Sequence, residues 1–140
     1  MLYSDFLKTL KGCPFCGNQN RIIKENKSAY LTYSIAPYHK HHLLVVPRRH
    51  TEMILSLSRD EMYDIELLIR TALGILRKLG YKNIVVLERE GEGTGKSVPH
   101  LHTNVIPERR IGDIDQDLNA RKIISENEIN NLVKELSALI

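Results

Sequence analysis

Val98-Pro-His-Leu-His-Thr-Asn-Val-Ile106 alternates along its length, and a strand sends every second side chain to the same face. His100, His102 and Asn104 then share one face, with Leu101, Thr103 and Val105 on the other. Strands favour β-branched and aromatic residues on both faces. Three successive same-face positions given to imidazoles and an amide therefore call for a chemical reason, the plainer alternative being a solvated face with two satisfied histidines. The run that delivers the chain into this stretch, Gly91-Glu-Gly-Thr-Gly-Lys-Ser97, favours chemistry. Flexible backbone beside nitrogen nucleophiles suits a phosphate group.

Working back toward the N-terminus, Lys82 to Arg89, with Ile84, Val85, Val86 and Leu87 inside it, reads as a strand that pairs with the histidine strand as a hairpin. Before it, Ser58-Arg-Asp-Glu61 is a capping box. Ile65, Leu68, Ile69, Ala72, Leu73, Leu76 and Leu79 then recur at helical spacing, and Gly80 supplies a stop. Met62, Leu67 and Ile75 lie off that apolar stripe, which leaves the helix richer in apolar residues than one sheet face requires. His42-Leu-Leu-Val-Val46 predicts a buried strand stopped by Pro47. Residues 21–25 and 28–35 predict a hairpin around Asn26-Lys27, and residues 3–10 a short helix. Beyond Pro107 the chain turns polar and irregular, and Ser125-Glu-Asn-Glu128 opens a last helix running to about Leu139. The order of elements predicts an α+β fold with an antiparallel sheet.

The 140 residues suit one domain, 1–140, with a sizeable core. A net charge of +3 is too small to imply a nucleic-acid partner. No apolar run approaches the roughly 20 residues of a membrane helix and no leader pattern opens the chain, so a cytoplasmic protein without a membrane partner is expected. The two cysteines sit as Cys13-Pro-Phe-Cys16, which suggests a metal knuckle or a redox pair and not a structural disulfide. A closed zinc site needs four ligands, and His50, just after the buried strand, and His100 are the candidates for the other two. A redox pair would open a helix at its first cysteine, and Gly17-Asn18 is unlike a helix interior; that pair, or a chance one, is the competing reading. Gly95-Lys-Ser97 looks like the end of a Walker A loop, but Glu90 stands where the first glycine belongs and a strand follows, not a helix.

Taken together, Cys13-Pro-Phe-Cys16, Pro37 through His42-Leu-Leu-Val-Val-Pro-Arg-Arg-His50, the helix after Ser58, and Gly95-Lys-Ser-Val-Pro-His-Leu-His-Thr-Asn-Val-Ile-Pro107 resemble the histidine triad (HIT) superfamily of nucleotide hydrolases and transferases, in order and in spacing. The resemblance implies a five-stranded antiparallel half-barrel with a long helix and a C-terminal helix. It also implies a homodimer through the long helix and the strand after it, and a nucleotide or dinucleoside polyphosphate substrate. His102 corresponds to the family's nucleophile toward the α-phosphate, His42 lies beside the same phosphate, and Ser34 stands where the family contacts ribose. The family's uridylyltransferases hold structural zinc with two cysteines, a later histidine and the first motif histidine, which favours Cys13, Cys16, His50 and His100 here. Four positions depart from the common pattern: Asn104 replaces the third histidine, Ser34 an acidic or amide residue, Arg89 an asparagine and Lys96 a glutamine.

Neutral imidazole is both nucleophile and base near pH 7. With Nδ1–H held by a carbonyl, Nε2 of His102 is free to attack phosphorus, and backbone amides near Ser97, the Ser97 hydroxyl, Lys96 and the Asn104 amide are the expected donors to the phosphoryl oxygens. An amide at position 104 donates without titrating, which favours anionic leaving groups and acceptors, with Lys96 and Arg89 placing them. The leading expectation is nucleotidyl transfer or hydrolysis through a histidyl-nucleotide. The alternatives are a non-catalytic zinc-stabilised nucleotide-binding module and a zinc-dependent hydrolase with His102 as a ligand.

Overall fold

The structure, a computed structural model, describes residues 1–110 and 122–140. The chain divides into two compact units, Met1–Arg109 and Arg110–Ile140. The first contains α1 (Tyr3–Thr9), β1 (Lys24–Glu25), β2 (Ala29–Tyr33), β3 (Leu43–Pro47), α2 (Arg59–Lys78), β4 (Ile84–Glu88) and β5 (Thr103–Pro107); the second contains α3 (Glu126–Ser137). Most of the irregular stretch expected after Pro107 lies at 111–121, outside the described residues.

The five strands form one sheet in the order β1-β2-β3-β5-β4, every neighbouring pair antiparallel. This is the α+β, five-stranded antiparallel sheet that the resemblance implied. Alternation sorts its faces. Ala29, Leu31, Leu43, Val45 and Val105 pack beneath Ile65, Leu68, Ala72 and Leu76 of α2. Tyr30, Leu44 and Val46 face the other way and receive Phe15 and Ile22. Burying side chains of this size contributes roughly 1.5–3 kcal/mol each, so α2 is held by its stripe far more than by intrinsic propensity.

Local chemistry sets the ends of α2. The Ser58 hydroxyl accepts from the Glu61 N–H while the Glu61 carboxylate accepts from the Ser58 N–H. At the other end Gly80 takes φ +92°, and the Gly80 and Tyr81 N–H groups bond back to the Arg77 and Leu76 carbonyls, which closes the helix. Ile75, expected off the stripe, instead packs against the core, whereas Met62 and Leu67 are exposed as expected.

The histidine stretch departs from its expectation in extent. The ladder begins at Thr103 and not at Val98. Pro99 has no N–H to give, and the Leu101 N–H donates to the Thr51 carbonyl in a loop. His100 and His102 therefore precede the strand, on extended backbone free to bend toward two separate places.

Candidate active site and metal centre

The Cys13–Cys16 turn is closed by the Cys16 N–H on the Cys13 carbonyl at 3.4 Å, with Gly17 at φ +76° turning the chain out. Both cysteines are free thiols. Beside them, His50 arrives from the end of β3 and His100 from the approach to β5. The four ligand atoms lie within 4.8 Å of one another. Cys13 Sγ is 3.3 Å from His100 Nδ1, Cys16 Sγ is 3.3 Å from His50 Nδ1 and 3.5 Å from His100 Nδ1, and the two Nδ1 atoms are 3.2 Å apart. A tetrahedral zinc with ordinary bond lengths would separate its nitrogens by about 3.3 Å and nitrogen from sulfur by about 3.6 Å. The donor set and its spacing both fit that ion. His100 is further prepared: its Nε2–H donates to the Pro47 carbonyl at 2.7 Å, which leaves Nδ1 as the lone-pair atom facing the cluster. Burial, and then the neighbouring Cys13, push the Cys16 thiol above its ordinary value, since two thiolates side by side need a cation.

Between the cysteines, Phe15 turns inward. Its ring lies 5.7 Å from that of His100 and 5.2 Å from that of His102. It forms a wall of a cleft of about 310 Å³ whose lining includes Ser34, His42, Arg89, Ser97, His102 and Asn104. The His102 Nδ1–H donates to the His100 carbonyl at 2.7 Å, and its Nε2 has no protein partner among the described residues. Burial lowers the His102 pKa against that carbonyl's pull, with the charges of Arg89 and Lys96 acting in the same direction as burial; the ring is neutral near pH 7.

Asn104 lies on β5 inside the sheet, opposite Leu44 on one side and Leu87 on the other. One Nδ2–H donates to the Leu87 carbonyl at 3.2 Å. Its Oδ1 accepts from the His42 Nε2–H at 3.0 Å, and His42 Nδ1 accepts from the Tyr38 N–H at 3.3 Å. Burial, opposed by the Asn104 bond, keeps the His42 pKa low. Asn104 thus orients His42 and retains one N–H for the cleft. Ser97 Oγ is 3.0 Å from the Tyr3 hydroxyl, and the Ser34 hydroxyl accepts from the Ala36 N–H.

Lys96 is the expected phosphate residue that the structure does not bring to the cleft. Its ammonium pairs with Glu52 at 2.7 Å and lines a separate hollow with Glu92 and Pro99. Tyr3, Phe15 and Tyr38 line the cleft without having been anticipated. Phe15 carried a signal in its place inside the knuckle; Tyr3, far away in sequence, carried none. Next to the cleft, and sharing Tyr3, Phe15, Ser34 and Leu44 with it, is an apolar compartment lined by Phe6, Leu10, Pro14 and Tyr33.

Comparison with known proteins places these features in context. The HIT domain family matches residues 17–111. A bis(5'-adenosyl)-triphosphatase of Saccharomyces cerevisiae is 34% identical over 98 residues, covering 67% of this chain and 47% of that protein; the match thus spans about half the length of that relative. An adenosine 5'-monophosphoramidase of Schizosaccharomyces pombe is 29% identical over 102 residues, covering 73% of this chain and 71% of that one. A HIT-family structure from Bacillus subtilis has the same fold, with TM-score 0.73 at 17% identity over 93% of this chain and 98% of that one.

Proposed function

The chain belongs to the HIT family, and from that premise we propose that it is a nucleotide hydrolase or nucleotidyl transferase working at the α-phosphate through a covalent His102 adduct. The observation that carries this reading is the 2.7 Å bond from the His102 Nδ1–H to the His100 carbonyl, with Nε2 left open in a cleft that Arg89, Ser97 and Asn104 also line. The names of two relatives, a triphosphatase and a phosphoramidase, support the substrate class.

In the first step His102 Nε2 attacks phosphorus and the bond to the leaving group breaks, its electron pair departing with the leaving atom. The developing imidazolium is stabilised by the carbonyl at Nδ1. The phosphoryl oxygens take the Ser97 hydroxyl and the remaining Asn104 N–H, and charge placed there without reorganisation accounts for most of such a rate gain. His42, fixed by Asn104, lines the same phosphate, and Ser34 lies at the rim toward the apolar compartment, where the ribose would pass. Water or a phosphorylated acceptor then takes the nucleotidyl group from His102.

Zinc, held by Cys13, Cys16, His50 and His100, is structural in this reading. Four protein donors fill its coordination, and the His102 ring is not among the clustered ligand atoms, which weighs against a zinc-activated water. The active form is a homodimer in the cytoplasm.

Incubation with an α-³²P-labelled dinucleoside polyphosphate and rapid quenching tests the proposal. Label should appear on protein as an acid-labile, base-stable adduct, and His102→Ala should abolish it with a loss of turnover on the order of 10³-fold or more. Turnover without trapped label, or substantial turnover in His102→Ala, would overturn it.

A further inference from the structure

Arg89 follows β4 directly. Leu87 pairs with Asn104, and two residues further Arg89 falls on the same sheet face, lining the cleft with His42 and His102. Its charge acts on both histidines, lowering the pKa of each. Half-buried, it has no carboxylate within ion-pair distance among the described residues. Its sequence neighbours do not supply one: Glu88 is turned to the opposite face, where it accepts from the Thr103 hydroxyl, and Glu90 is exposed. Several other basic groups do have such a partner. Arg48 pairs with Glu25, Arg49 with Glu61, Arg70 with Glu66 and Lys96 with Glu52. A guanidinium in a cleft of donors, with nothing to neutralise it, is a fork built for a phosphate, since its planar donors match two phosphoryl oxygens at once.

We propose that Arg89 is the specificity-determining residue of this cleft, binding the phosphate beyond the α-phosphate and so selecting substrates whose leaving group is a phosphate or polyphosphate. The inference rests on the reading of His102 as nucleophile at the α-phosphate. When the His102 Nε2–P bond forms, the P–O bond to the leaving phosphate breaks and the electron pair stays on that oxygen. No proton is required if the emerging negative charge is met by the guanidinium. An amine leaving group needs a proton instead, which Arg89 cannot give. The expected role of Lys96 passes to Arg89, because Glu52 already holds the lysine.

The test compares kcat/KM on diadenosine triphosphate with kcat/KM on adenosine 5'-phosphoramidate, which share a nucleoside and differ in leaving group. Arg89→Gln should lower the ratio of the two values on the order of 10- to 100-fold. Arg89→Lys should recover part of that preference, and Lys96→Gln should leave the ratio in place. A ratio unmoved by Arg89→Gln, or moved equally by Lys96→Gln, overturns the assignment. Calorimetric titration with inorganic tripolyphosphate supplies a readout independent of turnover: the wild-type chain should bind it and Arg89→Gln should bind it on the order of 10-fold more weakly. If neither substrate turns over but tripolyphosphate still binds through Arg89, the nucleophile reading fails and the anion site stands. Equal tripolyphosphate binding by the two proteins sinks the anion site.

Discussion

His42 has both ring nitrogens committed, Nε2–H to Asn104 and Nδ1 to the Tyr38 N–H. Burial, opposed by the Asn104 bond and aided by the charges of His102 and Arg89, holds the folded-state pKa below the ordinary 6.5. With the folded pKa depressed, the unfolded chain binds the proton first. The stability associated with this site is complete above about pH 6.5 and is lost as pH falls through the lower folded value. Thermal melts between about pH 7.5 and pH 5 should show wild type losing more stability than His42→Gln, whose side chain does not titrate; parallel losses would refute the assignment. At this scale the sequence was legible where a residue's partner is near or its face is fixed by alternation, as for His102 and Asn104. It was not legible for Lys96, adjacent to Ser97 and therefore expected in the cleft. The residue that removes it, Glu52, lies 44 positions away, and no local pattern announces such a pairing.

The knuckle is the element whose removal is most informative. Cys13→Ser takes away one of four donors and leaves a thiol and two imidazoles crowded without a full set. Zinc content should fall well below one per chain, and the midpoint of denaturation should shift by the equivalent of roughly 2–5 kcal/mol, the range seen when a small domain loses a native cross-link. Stability matching that of wild type, or wild type purified without zinc, would show that the cluster holds no structural ion. Element by element, α2 was legible from its capping box, stripe and Gly80, and α3 from Ser125 and Glu128, because caps act within three residues of the ends they close. The start of β5 was not. Alternation continues from Val98, but a ladder needs a neighbouring backbone, and the Leu101 N–H is taken by Thr51.

At the scale of the whole molecule, β4 is an edge strand among the described residues, and Val86 on it and Met62, Tyr63 and Leu67 on α2 are 47%, 52%, 64% and 41% exposed. An edge strand and an exposed apolar helix face are each surfaces a second copy can cover, and a twofold interface buries the same patch twice. Sedimentation at micromolar concentration should give a species of about twice 16.1 kDa, and Val86→Glu should shift it to monomer. Wild type sedimenting as a monomer under those conditions would exclude the dimer. The fold class was legible at this scale from the two hairpins, β1-β2 and β4-β5, whereas the pairing of β3 with β5, across α2 and β4, had no local signal. The N-terminal helix was the exception: its Tyr3 meets Ser97 across 94 positions, a closure no periodicity foretells.

The metal cluster also orders events in time. A nascent chain shows Cys13 and Cys16 early, His50 later and His100 last, 87 residues after Cys13. Until then the thiols are an incomplete claw, open to oxidation or to a foreign soft cation. The residue that completes the claw with its side chain also holds His102 with its carbonyl. On the proposed reading, coordination of the metal and the aim of His102 Nε2 thus arrive together.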